Sequence, residues 1–375
     1  MFNILTLNKI SKLGLDKLDS AKYTCADSIE APDAILVRSA SMHEMELDAN
    51  TVAIARAGAG VNNIPIPACS EKGVVVFNTP GANANAVKEL VLCALFLSSR
   101  KVGAAIDWAK TLKGEGEAVG KLVEKGKGAF AGPEILGKTL GVIGLGAIGA
   151  MVAEGAKALG MSVIGYDPFV SEKEGIEIAT DISEIYAKSD YISLHLPLND
   201  STRGMINADT LASMKDGIRI LNFARGELVD SQAIIAALES GKAAAYVTDF
   251  PNDEQLCVEG ITAIPHLGAS TPESEENCAM MAAEEVALYL EKGIIKNSVN
   301  LPNAALPEAY ECRTCFIHKE DEAFGTKVSA EAIAQGAAIK NLFSASKKGM
   351  GYTVIDTDKA LDTSKIEGAI RIRAI

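Results

Sequence analysis

KTLGVIGLGAIGAMVAEGAKALGMSVIGYD, residues 138–167, changes its periodicity twice. Residues 139–143 form a short apolar run, Gly144-Leu145-Gly146-Ala147-Ile148-Gly149 breaks it, and Met151, Val152, Ala156 and Leu159 then recur at helical spacing. A second apolar run, 161–166, ends at Asp167, eighteen residues after Gly149. Strand, glycine turn, helix, strand and acid in this order make a dinucleotide-binding unit. Gly144 allows the tight turn, Gly146 lets a pyrophosphate approach the backbone, and Gly149 lets the helix pack on the strand. The phosphates rest on the N–H groups of the helix start. A carboxylate at Asp167 accepts hydrogen bonds from both ribose hydroxyls and repels a 2′-phosphate, which favours NAD over NADP.

A chain of 375 residues is long enough for two or three domains with full cores. The formal net charge of −13, unbroken by any block of Lys and Arg, excludes a nucleic-acid surface. The N-terminus carries no charged leader before a long apolar stretch, and the longest apolar run, residues 90–97, is too short for a bilayer. A cytoplasmic protein with no membrane partner is expected. Seven scattered cysteines, an odd number, suit free thiols in a reducing compartment. Cys312-Arg313-Thr314-Cys315 reads as two strand residues on opposite faces, with no second ligand pair to make a metal site.

Residues 2–7, 34–37, 52–55 and 74–77 are apolar runs separated by Gly, Pro or polar clusters, the pattern of parallel strands alternating with helices. Two runs end in a base. Arg38 reads equally well as a surface residue, whereas Arg56, between its strand and a GAG turn, suits an anion site. Residues 83–100 form a helix with an apolar face (Val87, Leu90, Val91, Ala94, Leu95). Lys88 sits on its first turns, where the dipole does not favour a cation, and this hints at an anion partner. The Gly, Lys and Glu-rich stretch 111–132 reads as an exposed connector. Helices at 182–188, 208–214 and 231–239 then alternate with strands at 191–196, 219–224, 244–249 and 261–264. This is a doubly wound sheet, followed by a long helix over 271–292.

Functional groups of such a sheet gather at the carboxyl ends of its strands. Three titratable residues stand there: Arg225 in ILNFARGELVD, Glu254 in VTDFPNDEQL and His266 in AIPHLGAST. Reduction of a 2-oxo acid needs a proton donor titrating near neutrality, a carboxylate to fix its tautomer, and a guanidinium fork for the substrate carboxylate. Of the four histidines, His43 lies in a polar loop, His195 inside a strand and His318 in the C-terminal segment. His266 alone follows a strand and precedes a Gly-Ala-Ser-Thr turn beside the cofactor unit.

GLGAIG with Asp167, NFARGELVD, DFPNDE and PHLGAST together resemble the D-isomer-specific 2-hydroxyacid dehydrogenases over residues 1–303. RAGAGVNN and FNTPGANANAVKEL are most similar to members acting on a phosphorylated acid. The resemblance implies an α/β architecture in which a Rossmann domain, residues 99–269, is inserted into a flavodoxin-like substrate domain, residues 1–98 and 270–301. Arg225 would bind substrate, Glu254 would support the histidine, and His266 would be the acid/base. Thr79, Ala147, Ile148, Asp167, Leu196, Phe223, Ala224, Arg225 and Asp249 fall where the family contacts NAD, with His266, Gly268 and Ala269 near the nicotinamide. Arg56 and the Gly58-Ala59-Gly60 backbone would face the substrate phosphate. Residues 306–375 resemble an ACT regulatory domain in β-α-β-β-α-β order, with helical stretches at 328–335 and 363–366. The family's effector turn after the first strand is degenerate here, so dimerisation stands beside ligand sensing as its role. A homodimer or larger homo-oligomer is implied. Dehydrogenases of unphosphorylated 2-hydroxy acids and non-enzymatic NADH sensors share most of these motifs.

Overall fold

The structure, a computed structural model, describes residues 1–308 and 310–375. The chain divides into two compact units, residues 1–83 with 272–375, and residues 84–271.

The first unit begins with β1 (Phe2–Leu7), α1 (Lys12–Leu15), β2 (Tyr23–Ala26), β3 (Ala34–Val37), β4 (Ala53–Arg56), α2 (Ile66–Glu71) and β5 (Val75–Phe77). The strands are parallel in the order β2-β1-β3-β4-β5, the flavodoxin-like arrangement. Both faces of the central strands are covered, which is why AILV at 34–37 is buried throughout and reads as an unbroken apolar run. β2 is different. It is an edge strand in which only Tyr23 is buried, so YTCA has no apolar run to announce it.

The second unit comprises α3 (Ala84–Ser99), α4 (Val102–Thr111), α5 (Val119–Gly126), β6 (Thr139–Ile143), α6 (Ala147–Ala158), β7 (Ser162–Tyr166), β8 (Glu177–Ile178), α7 (Ile182–Lys188), β9 (Tyr191–Leu194), α8 (Ala208–Ser213), β10 (Ile218–Asn222), α9 (Ser231–Glu239), β11 (Ala243–Thr248) and β12 (Ile261–Ala263). Its seven strands are parallel in the order β12-β11-β10-β9-β6-β7-β8. The unit starts at residue 84 rather than 99. The apolar face of α3 (Val87, Val91, Ala94, Leu95) shares a core with Leu140, Val142, Val152 and Ala156, and burying that face fixes where the helix belongs.

The stretch read as a connector is helical and exposed. α4 and α5 bury none of their residues. Their local support comes from i,i+3 pairs (Lys110–Asp107 and Lys127–Glu124) and from Trp108, whose ring centroid lies 5.3 Å from that of Phe130. Of the glycines that suggested a linker, Gly120 and Gly126 lie within α5 and Gly116 and Gly128 within the 3-10 turns that flank it.

The chain returns to the first unit with α10 (Pro272–Lys292), β13 (Cys312–Lys319), α11 (Phe324–Ala334), β14 (Ile339–Lys347), β15 (Met350–Thr357) and β16 (Ala369–Ala374). The last four strands form an antiparallel sheet, β14-β15-β13-β16. The element order is the expected one except that the second helix is a single 3-10 turn, Thr363–Lys365. This module joins the core of the flavodoxin-like sheet. Tyr289 of α10 is fully buried, with its ring 6.0 Å from Phe77 and 6.5 Å from Tyr352. Arg313, also buried, donates to both oxygens of Asp356 at 2.6 and 2.8 Å and to the Lys292 carbonyl at 2.7 Å, so it caps the end of α10. Cys315 lies in the same core, where burial pushes its thiol up, while Cys312 is half-buried.

Glu285 of α10 is buried. Its Oε1 accepts from Asn297 Nδ2 at 2.7 Å, and burial pushes the carboxyl up to about 8, against the opposing pull of Asn297 and Lys296. The folded state therefore holds a proton that the unfolded chain, with an ordinary glutamate near ~4.3, releases. Stability from this group is complete below that value and is lost as pH rises through about 8. The melting temperature of the wild type should fall over this range, and that of E285Q, which mimics the neutral acid, should fall less.

Candidate active site

The order of the second sheet reverses between β6 and β9, the crevice where open α/β sheets bind ligands. Gly144 ends β6 with φ +94°, and a Cβ there would stand 2.4 Å from the His195 carbonyl oxygen, so only glycine fits. Gly149 is packed still more tightly, because its Cβ would lie 1.9 Å from the Gly144 carbonyl oxygen. Gly146 is the opposite case. Nothing lies within 4 Å of a Cβ built on it. It precedes α6 without any side-chain cap, which leaves the first N–H groups of the helix, including those of Ala147 and Ile148, facing open space. Asp167 closes the turn by accepting from Leu145 N at 2.8 Å, and its other oxygen takes Phe169 N at 2.9 Å. These residues fit a dinucleotide: uncapped amides for the pyrophosphate, an open glycine for its approach, and a fixed carboxylate for the ribose.

The ends of the neighbouring strands supply the other groups. Asn222, buried at the end of β10, accepts from Ala224 N at 3.2 Å and donates to the Arg225 carbonyl at 2.8 Å, shaping the Phe223-Ala224-Arg225 turn. Phe223 is buried and Leu196 borders Gly144. After β11, Asp249 is buried, with Oδ2 accepting from Gly268 N at 3.0 Å. Burial pushes this carboxyl up, and the Gly268 amide and His266 pull the other way. Its Oδ1 is buried without a partner among the described residues, and a carboxamide N–H beside Gly268 and Ala269 would satisfy it.

Phe250 brings two of the predicted catalytic residues together. Its ring centroid is 4.4 Å from that of His266, and the guanidinium carbon of Arg225 is 5.9 Å from it. Glu254 is exposed in the 3-10 turn Asp253–Gln255, and among the described residues no hydrogen bond joins it to His266. His195 directly follows β9 with Nε2 2.8 Å from Ser193 Oγ, and burial pushes its imidazole down to about 4. It is therefore neutral near pH 7 and unsuited to exchange a proton there. The single-residue signals that missed Phe250 and Asn222 are weak ones, an aromatic and an amide at strand ends.

In the first unit, Arg56 ends β4. Its Nε donates to the Arg38 carbonyl at 3.0 Å and Nη1 reaches Asn62 Oδ1 at 3.4 Å. A Cβ on Gly60 would come within 2.7 Å of Nη1, so the guanidinium lies against the Gly58-Ala59-Gly60 turn. Thr79 is buried beside the same turn, donating its N–H to the Gly58 carbonyl at 3.1 Å. Arg38 pairs with Glu275 of α10.

The NAD-binding domain of the D-isomer specific 2-hydroxyacid dehydrogenases matches residues 72–286. The chain belongs to that family. NAD is its cofactor. It is 37% identical over 295 residues to the D-3-phosphoglycerate dehydrogenase of Methanocaldococcus jannaschii, covering 75% of this chain and 54% of that protein. The chain thus spans about half the length of such curated relatives. A hydroxypyruvate reductase of Thermotoga maritima is 39% identical over 274 residues, covering 70% of this chain and 85% of the reductase. Among solved structures, an NAD+-bound 3-phosphoglycerate dehydrogenase of Entamoeba histolytica superposes with a TM-score of 0.62 at 27% identity, covering 80% of this chain and 98% of that one.

The two helix-start glycines should respond differently to a methyl group. Gly146→Ala should leave the melting temperature of the free protein unchanged and weaken NADH binding in a fluorescence titration. Gly149→Ala should lower the melting temperature itself, because its clash is with the protein's own backbone.

Proposed function

We propose that the chain catalyses the NAD-dependent oxidation of D-3-phosphoglycerate to 3-phosphohydroxypyruvate, the entry to serine biosynthesis. When bound, NAD supplies the hydride acceptor for the C2 hydrogen. His266 takes the C2 hydroxyl proton, and the negative charge of Glu254 steadies the resulting imidazolium. Arg225 clamps the substrate carboxylate and polarises the C2 oxygen, where charge develops in the transition state. Asp249, Gly268 and Ala269 orient the nicotinamide. The observation that carries the substrate assignment is Arg56 lying against the Gly58-Ala59-Gly60 turn. A phosphate calls for that guanidinium and those backbone N–H groups, and a pyruvate-like acid does not.

The hydroxypyruvate reductase relative favours a second reading, reduction of an unphosphorylated acid. NADH-linked assays on phosphohydroxypyruvate, hydroxypyruvate, pyruvate and 2-oxoglutarate separate the two. The phosphorylated substrate should give the highest kcat/KM, and equal values on the unphosphorylated acids would reject the phosphate assignment. Replacing Arg56 with Gln should raise KM for phosphohydroxypyruvate more than for hydroxypyruvate. His266→Gln should cut turnover by the ~10²–10⁴-fold of a lost acid/base while NADH still binds. Unchanged turnover would sink the mechanism.

We also propose a cytoplasmic homodimer or larger homo-oligomer. All seven cysteines are free thiols, and Ile106, Val119 and Val123 on α4 and α5 are exposed apolar residues that a second copy can cover. No helix among the described residues is long and apolar enough to cross a membrane.

A further inference from the structure

Lys88 lies on the second turn of α3 with only 20% of its side chain exposed. The one carboxylate oxygen within 4 Å of its Nζ among the described residues, on Glu89, is 3.8 Å away, too far for a hydrogen bond. That oxygen already accepts from Asn85 Nδ2 at 2.9 Å. No hydrogen bond from Nζ exists among the described residues. The ammonium thus has no hydrogen-bond acceptor among the described residues, and an anion arriving beside it gains a charge-assisted hydrogen bond without displacing a protein partner.

Two contacts locate the side chain. Leu92, one turn further along α3, presses on α6 at Gly155, where an added Cβ would stand 2.9 Å from its Cδ1. α3 also runs in the same direction as α6, from the carboxyl ends of the strands to their amino ends. At its start, Val87 is 3.5 Å from where Gly268 would carry a Cβ. At its end, Ser99 Oγ is 2.8 Å from the hydroxyl of Tyr191, the first residue of β9, and the Ser98 carbonyl accepts from Arg219 near the start of β10. With the helices parallel, one turn back from Leu92 leads toward the start of α6. Lys88 therefore stands on the face of α3 that looks at α6, beside the turn that holds Gly268 and toward the uncapped amides after Gly146.

We infer that Lys88 is a cofactor-binding residue whose ammonium contacts the diphosphate of NAD, adding a side-chain cation to the backbone amides of α6. The inference does not rest on which 2-hydroxy acid is the substrate. It fits the sequence as well, since a cation in the first turns of a helix is disfavoured by that helix's own dipole and needs another reason to be there.

The test is equilibrium binding to the full chain, comparing wild type with K88M, K88Q and K88R. The probes are NADH, ADP-ribose, which keeps the diphosphate, and adenosine, which lacks it. K88M and K88Q should each weaken NADH and ADP-ribose about tenfold, as expected for a lost charge-assisted contact, and should flatten the salt dependence of binding. Adenosine should bind all four proteins equally, and K88R should keep most of the affinity. Wild-type affinity for NADH in K88M and K88Q would overturn the inference. So would an equal loss on adenosine, which would mark a packing defect instead of a missing charge.

Discussion

The cofactor unit depends on a contact with no room for a methyl group. Gly149, in the first turn of α6, lies so close to the Gly144 carbonyl that any side chain there would overlap it. That approach sets the start of α6 against the end of β6 and turns its uncapped amides toward the crevice. Asp167 reinforces the arrangement from the next strand by holding Leu145 N, so the residue suited to a ribose also fixes the turn suited to the phosphates. One carboxylate thereby holds the fold of the turn and is suited to the ligand as well.

The parallel sheet does the gathering. Because every strand points the same way, the loops after β6, β7, β9, β10, β11 and β12 emerge at one edge, and residues as distant in sequence as Gly144, Asp167, Arg225, Asp249 and His266 belong to it. Environment then assigns their chemistry. His195 and His266 both follow strands of this edge, but burial holds the first neutral near pH 7, whereas the second is exposed against Phe250. In the other unit the same logic puts Arg38 and Arg56 after adjacent strands, with Arg38 neutralised by Glu275 and Arg56 set against a glycine turn.

Much of this was legible in the residues because a few positions carry unambiguous physical demands. Three glycines with separate jobs announced the β6–α6 turn, and the helices expected at 182–188 and 231–239 are α7 and α9, which the structure shows capped by Asp181 and Asp230. The illegible parts are those where a local pattern is overridden by a partner distant in sequence. β2 pairs with β1 as a mixed edge strand, and α3 joins the cofactor unit through contacts with α6. The helices at 102–126 form in a stretch whose glycines read as breakers. Phe250 and Asn222 carry no charge and no motif of their own, so only the folded strand ends show one ring between Arg225 and His266 and one amide shaping the turn before them.

A crystal structure of the protein with bound NADH tests most directly whether the glycine turn and the strand ends form one dinucleotide site. The diphosphate should accept hydrogen bonds from the amides of Ala147 and Ile148, the ribose from Asp167, and the carboxamide should meet Asp249 Oδ1 with His266 facing the reactive carbon. A dinucleotide bound elsewhere, or one leaving those amides and Asp249 unengaged, would contradict it.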